Sequence, residues 1–221
     1  MVIAVARYVL ARCFVSQRWV PPLALYALAS AVIYSGGGDA AGSGGASGLL
    51  LLVVSAWMTI AALHADDPSQ IAIIATSVGS PVRARLVVIG VGAAVCLVVG
   101  ALSIGMAVAT DPKHAQVLGL GATLMTLAAL QCMAIASGAA LGQLCARPLV
   151  RRAGFSWILA VLGIVAIVAV PGAPLTQVLT VLSNTDTSRF GVRILPPLIT
   201  QLMLAGAALA AGTWVYQRRS P

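Results

Sequence analysis

The charges of this chain are fenced off from its apolar stretches. No Asp, Glu, Lys or Arg lies between Arg18 and Asp39, Asp39 and Asp66, Arg85 and Asp111, Lys113 and Arg147, Arg152 and Asp186, or Arg193 and Arg218. About 20 predominantly apolar residues in a row are enough for a helix to cross the hydrocarbon core of a bilayer. A soluble domain wets its surface with roughly 25% charged residues. Here only 8% of residues are charged, 60% are hydrophobic and the mean hydropathy is +1.02. An ordinary soluble enzyme, a disordered tail and a nucleic-acid-binding module are excluded. The expected class is an all-α polytopic membrane protein, a single transmembrane domain over residues 1–221.

A window of membrane-spanning length places six spans near 19–35, 48–64, 85–109, 116–145, 155–170 and 195–217. The fifth is short and is closed by Pro171 and Pro174. Residues 1–18, with Arg7 and Arg18 on nearly the same helical face, read as an interfacial N-terminal helix. Trp19 follows as an interfacial anchor, and Pro21 and Pro22 turn the chain into the bilayer. The first 30 residues also mimic a signal peptide, with Ala27-Leu28-Ala29 as a cleavage site; a retained helix is expected. The Gly-, Ala- and Ser-rich residues 36–48 read as a flexible loop.

The net charge of +8 would suggest nucleic acid in a soluble protein. In a membrane chain the arginines are orientation signals. With the N-terminus inside, Arg7, Arg12, Arg18, Arg83, Arg85, Arg147, Arg151, Arg152, Arg218 and Arg219 are cytoplasmic. Only Lys113, Arg189 and Arg193 are then outside. Six spans with both termini in the cytoplasm follow. The preference for Arg over Lys, with abundant Ala, Gly and Val, points to a bacterium with a GC-rich genome, hence to a bacterial plasma membrane.

Two connecting segments carry a helical pattern of their own. In 66–81, Asp67 can cap, Pro68 suits the first helical position and Gly79 the position just past the end. Ile71, Ile74, Ala75 and Val78 make one apolar stripe. A short amphipathic helix over 68–78, on the cytoplasmic side, is expected before Arg83 and Arg85; a plain interfacial linker shows the same pattern. In 174–194, Leu175, Val178, Leu179 and Leu182 repeat the spacing on the outer side. A helix re-entering the outer leaflet would account for it and for the short fifth span; a surface-lying helix also fits.

This order, an interfacial helix, six spans, a cytoplasmic helix between spans two and three and short outer helices between spans five and six, resembles the permease subunit of type-2 ABC exporters. The stretch from Ile73 to Arg83, a short helix followed by Ser80-Pro81 and a basic residue, is similar to that family's coupling segment. The chain departs from many relatives in having no Glu there; Asp66 or Asp67 would substitute. The resemblance implies a coupling helix over 68–78 that docks on a separate ATPase. Asp67 would be its cap, Gln70, Ile71, Ile74 and Val78 its docking surface, and Arg83 its membrane-side anchor. It further implies a second permease subunit, identical or related, and ATP and Mg²⁺ bound by the ATPase rather than by this chain. Ser55, Trp57 and Thr59 in span two would face the substrate pathway, for a lipid, hydrophobic drug or amphipathic peptide. Export rather than import rests on the resemblance.

Several chemistries lack their residues. A phosphate-binding loop needs a Lys among glycines, and the one lysine, Lys113, stands in Asp-Pro-Lys-His. With two histidines and no Glu there is no HExxH metal site. Cys13, Cys96, Cys132 and Cys145 have no metal-ligand spacing and read as small buried hydrophobes. Gly45-Ala46-Ser47-Gly48 matches the GxSG of intramembrane serine proteases, but no later span offers the His. No span interior carries a charge, which argues against an ion-coupled carrier. Thr123, Thr126, Gln131 and Gln201 are further polar residues within spans. Gly138 and Gly142 suit either packing within the chain or contact with a second copy. The competing readings are a non-transporting membrane scaffold or immunity protein and a stand-alone channel or carrier.

Overall fold

The computed structural model describes residues 2–36, 40–65, 74–111, 119–146, 150, 153–170, 172–183 and 190–219. Among them no strand occurs. Eight helices follow one another: α1 (Val2–Ser16), α2 (Val20–Ser35), α3 (Ala40–Ala65), α4 (Pro81–Thr110), α5 (Leu120–Cys145), α6 (Ala153–Ala169), α7 (Pro174–Ser183) and α8 (Phe190–Arg219). A single helical turn over residues 74–78 stands between α3 and α4.

Among the described residues four helices are long and apolar enough to cross a membrane: Ala40–His64, Pro81–Thr110, Leu120–Cys145 and Arg193–Arg218. A fifth exists if Gly154–Ala169 and Pro174–Thr180, bent by 51° at their break, are one span. Six spans were expected. The first of them, α2, has 16 residues, which at 1.5 Å per residue reaches roughly 24 Å against a hydrocarbon thickness of ~30 Å. It is bounded by Gln17, which sits in the left-handed region at φ 53 and ends α1, by two prolines in its first turn, and by Gly36. The large apolar side chains of α4, α6 and α8, among them Val98, Leu102, Leu162, Met203 and Leu204, lie exposed on the outside of the bundle. Such a surface is tolerable only against lipid. The protein is a membrane-embedded helical bundle.

Its hub is the pair α3 and α5. The most apolar stretches of these two helices are 61% and 67% buried, against 33% for α4 and 22% for α8, and no other pair packs as extensively. Glycines set their approach. A Cβ on Gly138 would come within 2.5 Å of the Leu52 carbonyl oxygen, and one on Gly142 within 2.7 Å of the Ala56 carbonyl. Reciprocally, Leu127 and Leu130 of α5 fill the space left by Gly44 and Gly48 of α3. Position numbers rise together along both helices, so the pair is parallel. The intervening α4 returns antiparallel, with Gly100 against Leu51 and Gln131.

This seam corrects one expectation. The Gly- and Ser-rich residues 40–48, read as loop, are the first turns of α3, with Ala40, Ala41, Ser43 and Ser47 buried. Each glycine in a helix costs about 1 kcal/mol of propensity relative to Ala. Close packing between backbones without side chains overrides that cost.

Gly138→Ala places a methyl group against backbone that cannot step aside. It is expected to lower unfolding free energy in detergent by ~1–3 kcal/mol, the usual range for overpacking. Gly105→Ala, whose Cβ meets nothing within 4 Å, is the matched control and is expected to be neutral or mildly stabilising.

Candidate functional site

Because the helices alternate in direction, one end of the bundle collects the N-termini of α2, α4 and α6 and the C-termini of α3, α5 and α8. Arg12, Arg18, Arg83, Arg85 and Arg218 are all at this end. Here the helical turn at 74–78 folds back on the bundle. Ile74 and Val78 are buried, packed in one cluster with Val5 and Val9 of α1, Leu63 of α3, Ala84 and Val88 of α4, and Ala139 and Ala146 of α5 and its end. Their apolar faces therefore fasten the turn to four helical elements, and the outward side is left to Thr76, which is exposed, with Arg83 exposed just beyond Gly79 (φ 76). Of the other residues assigned to the coupling surface, Asp67, Gln70 and Ile71 lie outside the described residues.

Beside this turn a polar latch joins α4, α5 and α8. Arg85 is buried, its guanidinium 4.9 Å from the Tyr216 ring centre, and it donates to the Gln143 carbonyl at 3.4 Å. Gln143 Nε2 in turn donates to the Leu209 carbonyl at 3.2 Å and occupies the space beside Gly212. A cation on an aromatic face is worth ~2 kcal/mol where water is excluded. The sequence marks Arg85 only as an orientation signal. It lies in the first turns of its helix, where its stem can run inward, and Gly212 and Tyr216, four residues apart on α8, meet Gln143 of α5 and Arg85 of α4 respectively.

A second polar cluster sits deeper. Gln131 Nε2 lies 3.3 Å from Ser47 Oγ and 3.1 Å from Ser103 Oγ, and the Tyr34 hydroxyl donates to the Ser103 carbonyl at 2.9 Å. The Tyr26 hydroxyl lies among Ser30, Ser47 and Ser103 but closes a hydrogen bond of good geometry with none of them. Ser30 Oγ and Gln131 Oε1 are likewise buried with unused capacity. Buried polar groups in this condition are the ones that hold internal water. Of this cluster the sequence singles out Gln131, as a polar residue within a span, and Ser47, within a GxSG tetrapeptide. The overlooked signal is Tyr26, Ser30 and Tyr34 at i, i+4 and i+8, one stripe on an otherwise apolar helix. Ser47 of the GxSG tetrapeptide belongs here too, inside α3, whereas His64 stands at the far end of that helix.

Ser55 and Thr59 do not border open space. Ser55 donates to the Ile135 carbonyl and Thr59 to the Ser55 carbonyl, both at 2.9 Å, and both side chains lie in the seam against Gly138 and Gly142. The structure gives these two hydroxyls a packing role. Trp57, on another face, stands edge-on to Trp157 of α6, ring centres 4.9 Å apart at 72°. Thr123 and Thr126 bond within their own helix, and Gln201 reaches Ser137 from α8. Among the described residues no group of three or more His, Cys, Asp or Glu is placed to hold a metal ion. The chain matches no known family model, no curated protein and no solved structure.

Gln131→Leu keeps the volume but strips the donor shared by Ser47 and Ser103. It is expected to cost ~1–3 kcal/mol in reversible unfolding, the penalty for stranding buried polar groups. Gln131→Glu, which keeps a donor toward these hydroxyl oxygens only when protonated, is expected to be tolerated better at low pH than at neutral pH, because a carboxylate is expensive to bury.

Proposed function

We propose that this chain is the membrane-spanning permease subunit of an ATP-driven exporter of the type-2 ABC kind. Two such subunits, identical or paired with a related chain, combine with two ATPases that bind ATP and Mg²⁺; this chain contributes the membrane pathway and no catalysis. In this reading α2, short by itself, and the bent pair α6–α7 complete six spans. The arginine-rich end faces the cytoplasm of a bacterium, and the cargo is a lipid, hydrophobic drug or amphipathic peptide.

The observation that carries the reading is the fastening of the turn at 74–78. A lever that transmits force from a soluble motor must be anchored in the membrane bundle on one side and exposed on the other. Ile74 and Val78 supply the anchor, tying the turn to α1, α3, α4 and α5 at once. Thr76 and Arg83 supply the exposed side. Docking onto the ATPase is accordingly assigned to these two residues and to the segment that precedes Ile74, and Ile74 and Val78 to attachment.

The test uses the tagged chain purified in mild detergent from its native host. A stoichiometric ATPase bearing a phosphate-binding loop is expected to accompany it. Thr76→Arg and Arg83→Glu are expected to cut substrate-stimulated ATPase activity about tenfold, the effect of losing ~1.4 kcal/mol of docking, with membrane insertion unchanged. A chain that purifies alone, under conditions that keep a known ABC complex together, overturns the proposal. Silent transport assays would then favour a scaffold or immunity protein, and liposome flux without ATP a channel or carrier.

A further inference from the structure

The packing of α2 on the hub leaves three buried polar atoms over. The Tyr26 hydroxyl, Ser30 Oγ and Gln131 Oε1 are closed to solvent and find no hydrogen-bond partner among the described residues. Their side chains are more than nine-tenths buried, as are those of Ser47 and Ser103 beside them. The five residues come from four helices: Tyr26 and Ser30 from α2, Ser47 from α3, Ser103 from α4 and Gln131 from α5. They converge on one point. The Tyr26 hydroxyl lies next to the side-chain oxygens of Ser30, Ser47 and Ser103, and Gln131 Nε2 is 3.3 Å from Ser47 Oγ and 3.1 Å from Ser103 Oγ. Gly100 of α4 carries no side chain where a Cβ would stand 3.7 Å from Gln131 Oε1. Ser30 adds an observation of its own. A hydroxyl on a helix has an acceptor at hand in the carbonyl one turn back, and Ser47, Ser103 and Ser137 all donate to it. Ser30 does not, and its oxygen lies by the Tyr26 hydroxyl instead. A buried hydroxyl that forgoes a bond within reach is stable only where something else completes it.

We infer that an internal water binds at this point and joins α2 to the hub, accepting a hydrogen bond from the Tyr26 hydroxyl and donating to Gln131 Oε1 and Ser30 Oγ. A buried water typically makes about three hydrogen bonds to groups otherwise unsatisfied, and three such atoms gather here around Ser47 and Ser103. The mixture of groups selects water over an ion. Two hydroxyls bring protons to place, and an amide oxygen can only accept. A cation would meet the N–H of Gln131 and strand the hydroxyl protons, and an anion would meet Gln131 Oε1. Water both gives and accepts. Its place in the fold gives it a task. Helix α2 lies outside the α3–α5 seam, and Tyr34 donating to the Ser103 carbonyl ties it directly to α4. The water supplies a second tie about two turns further along the same stripe of α2, reaching α5. The site is built by this chain alone, so the inference does not depend on an ATPase partner.

The experiment is X-ray radiolytic footprinting of the full chain in lipid nanodiscs, read by mass spectrometry. Irradiation splits a bound water where it sits, and the hydroxyl radical oxidises the side chain beside it even where bulk solvent does not reach. Tyr26 is expected to take up oxygen several times faster than Met133, an equally oxidisable residue that is fully buried in an apolar cluster. Ser30→Val removes one partner and sets methyl groups in its place. It is expected to lower Tyr26 oxidation roughly fivefold, the factor that one hydrogen bond of ordinary net strength is worth to the occupancy of the water. Oxidation of Tyr26 no faster than that of Met133 in the unaltered chain overturns the inference, since the cluster is then dry. Oxidation that Ser30→Val leaves unchanged also overturns it, since the radicals then arrive from bulk solvent. If Ser30→Val fails to fold, water-edited solid-state NMR of the unaltered chain in bilayers decides. Transfer from water to the Gln131 side-chain amide that outpaces transfer to the backbone amides of Met133 and Ala134 supports the site, and equal transfer overturns it.

Discussion

The close approach of α3 and α5 is the contact on which the rest of the bundle is built. In lipid there is no hydrophobic force to drive one apolar helix onto another, and association rests on packing and on hydrogen bonds between helices. Gly138 and Gly142 let the backbone of α3 lie directly on α5, while Gly44 and Gly48 admit Leu127 and Leu130 in the other direction. Dispersion contacts of ~0.1–0.2 kcal/mol per atom pair accumulate only at such distances. The hydroxyls of Ser55 and Thr59 fit the same seam because each is satisfied by a backbone carbonyl and so presents little unmet polarity to its neighbour.

The same helix, α5, also distributes the polar links. Gln131 reaches Ser47 of α3 and Ser103 of α4, Gln143 reaches Leu209 of α8, and Ser137 receives Gln201 of α8. Each link is buried within the bundle, so breaking one leaves a buried group unpaired and costs more than the bond itself contributes. The glutamines thus fix which neighbour sits where, a task apolar side chains perform poorly when every exposed face is equally greasy. By contrast α6 is held by shape, with Leu141 filling the space at Gly163 and Trp157 against Trp57.

Much of this architecture is legible in the sequence, because burial of charge in hydrocarbon is costly enough to leave its mark on every span. The intervals free of charge locate α3, α4, α5 and α8, and the stripe of Ile74 and Val78 locates the turn between α3 and α4. What stays hidden is partnership. Glycine and serine at 40–48 look like a loop because composition cannot distinguish a glycine that frees the chain from one that admits a neighbouring helix. Ser55 and Thr59 on one face are equally compatible with a pathway and with a seam, and the glycines that decide between them are far away in sequence. Arg85 resembles its neighbour Arg83 until Tyr216 and Gln143 are known to lie beside it, after which one arginine is interior and the other exposed.

The seam also constrains how the protein could move. Its contacts run from Gly44 to Gly142, over nearly the whole length of both helices, so α3 and α5 cannot splay at one end without losing interlocked packing there. Packed interfaces of this kind respond by switching or by moving as a body, not by continuous bending. A push at the 74–78 turn reaches α1, α3, α4 and α5 through one shared cluster, and these elements would shift together. The more weakly buried α8 is tied to them by the Arg85–Gln143–Tyr216 latch close to where the push arrives, whereas at its other end it begins beyond the polar links. On the reading proposed above, an external motor acting at the arginine-rich end would therefore turn the hub as a rigid unit. Any opening would occur along the peripheral helices or between two copies, rather than through the centre of one chain.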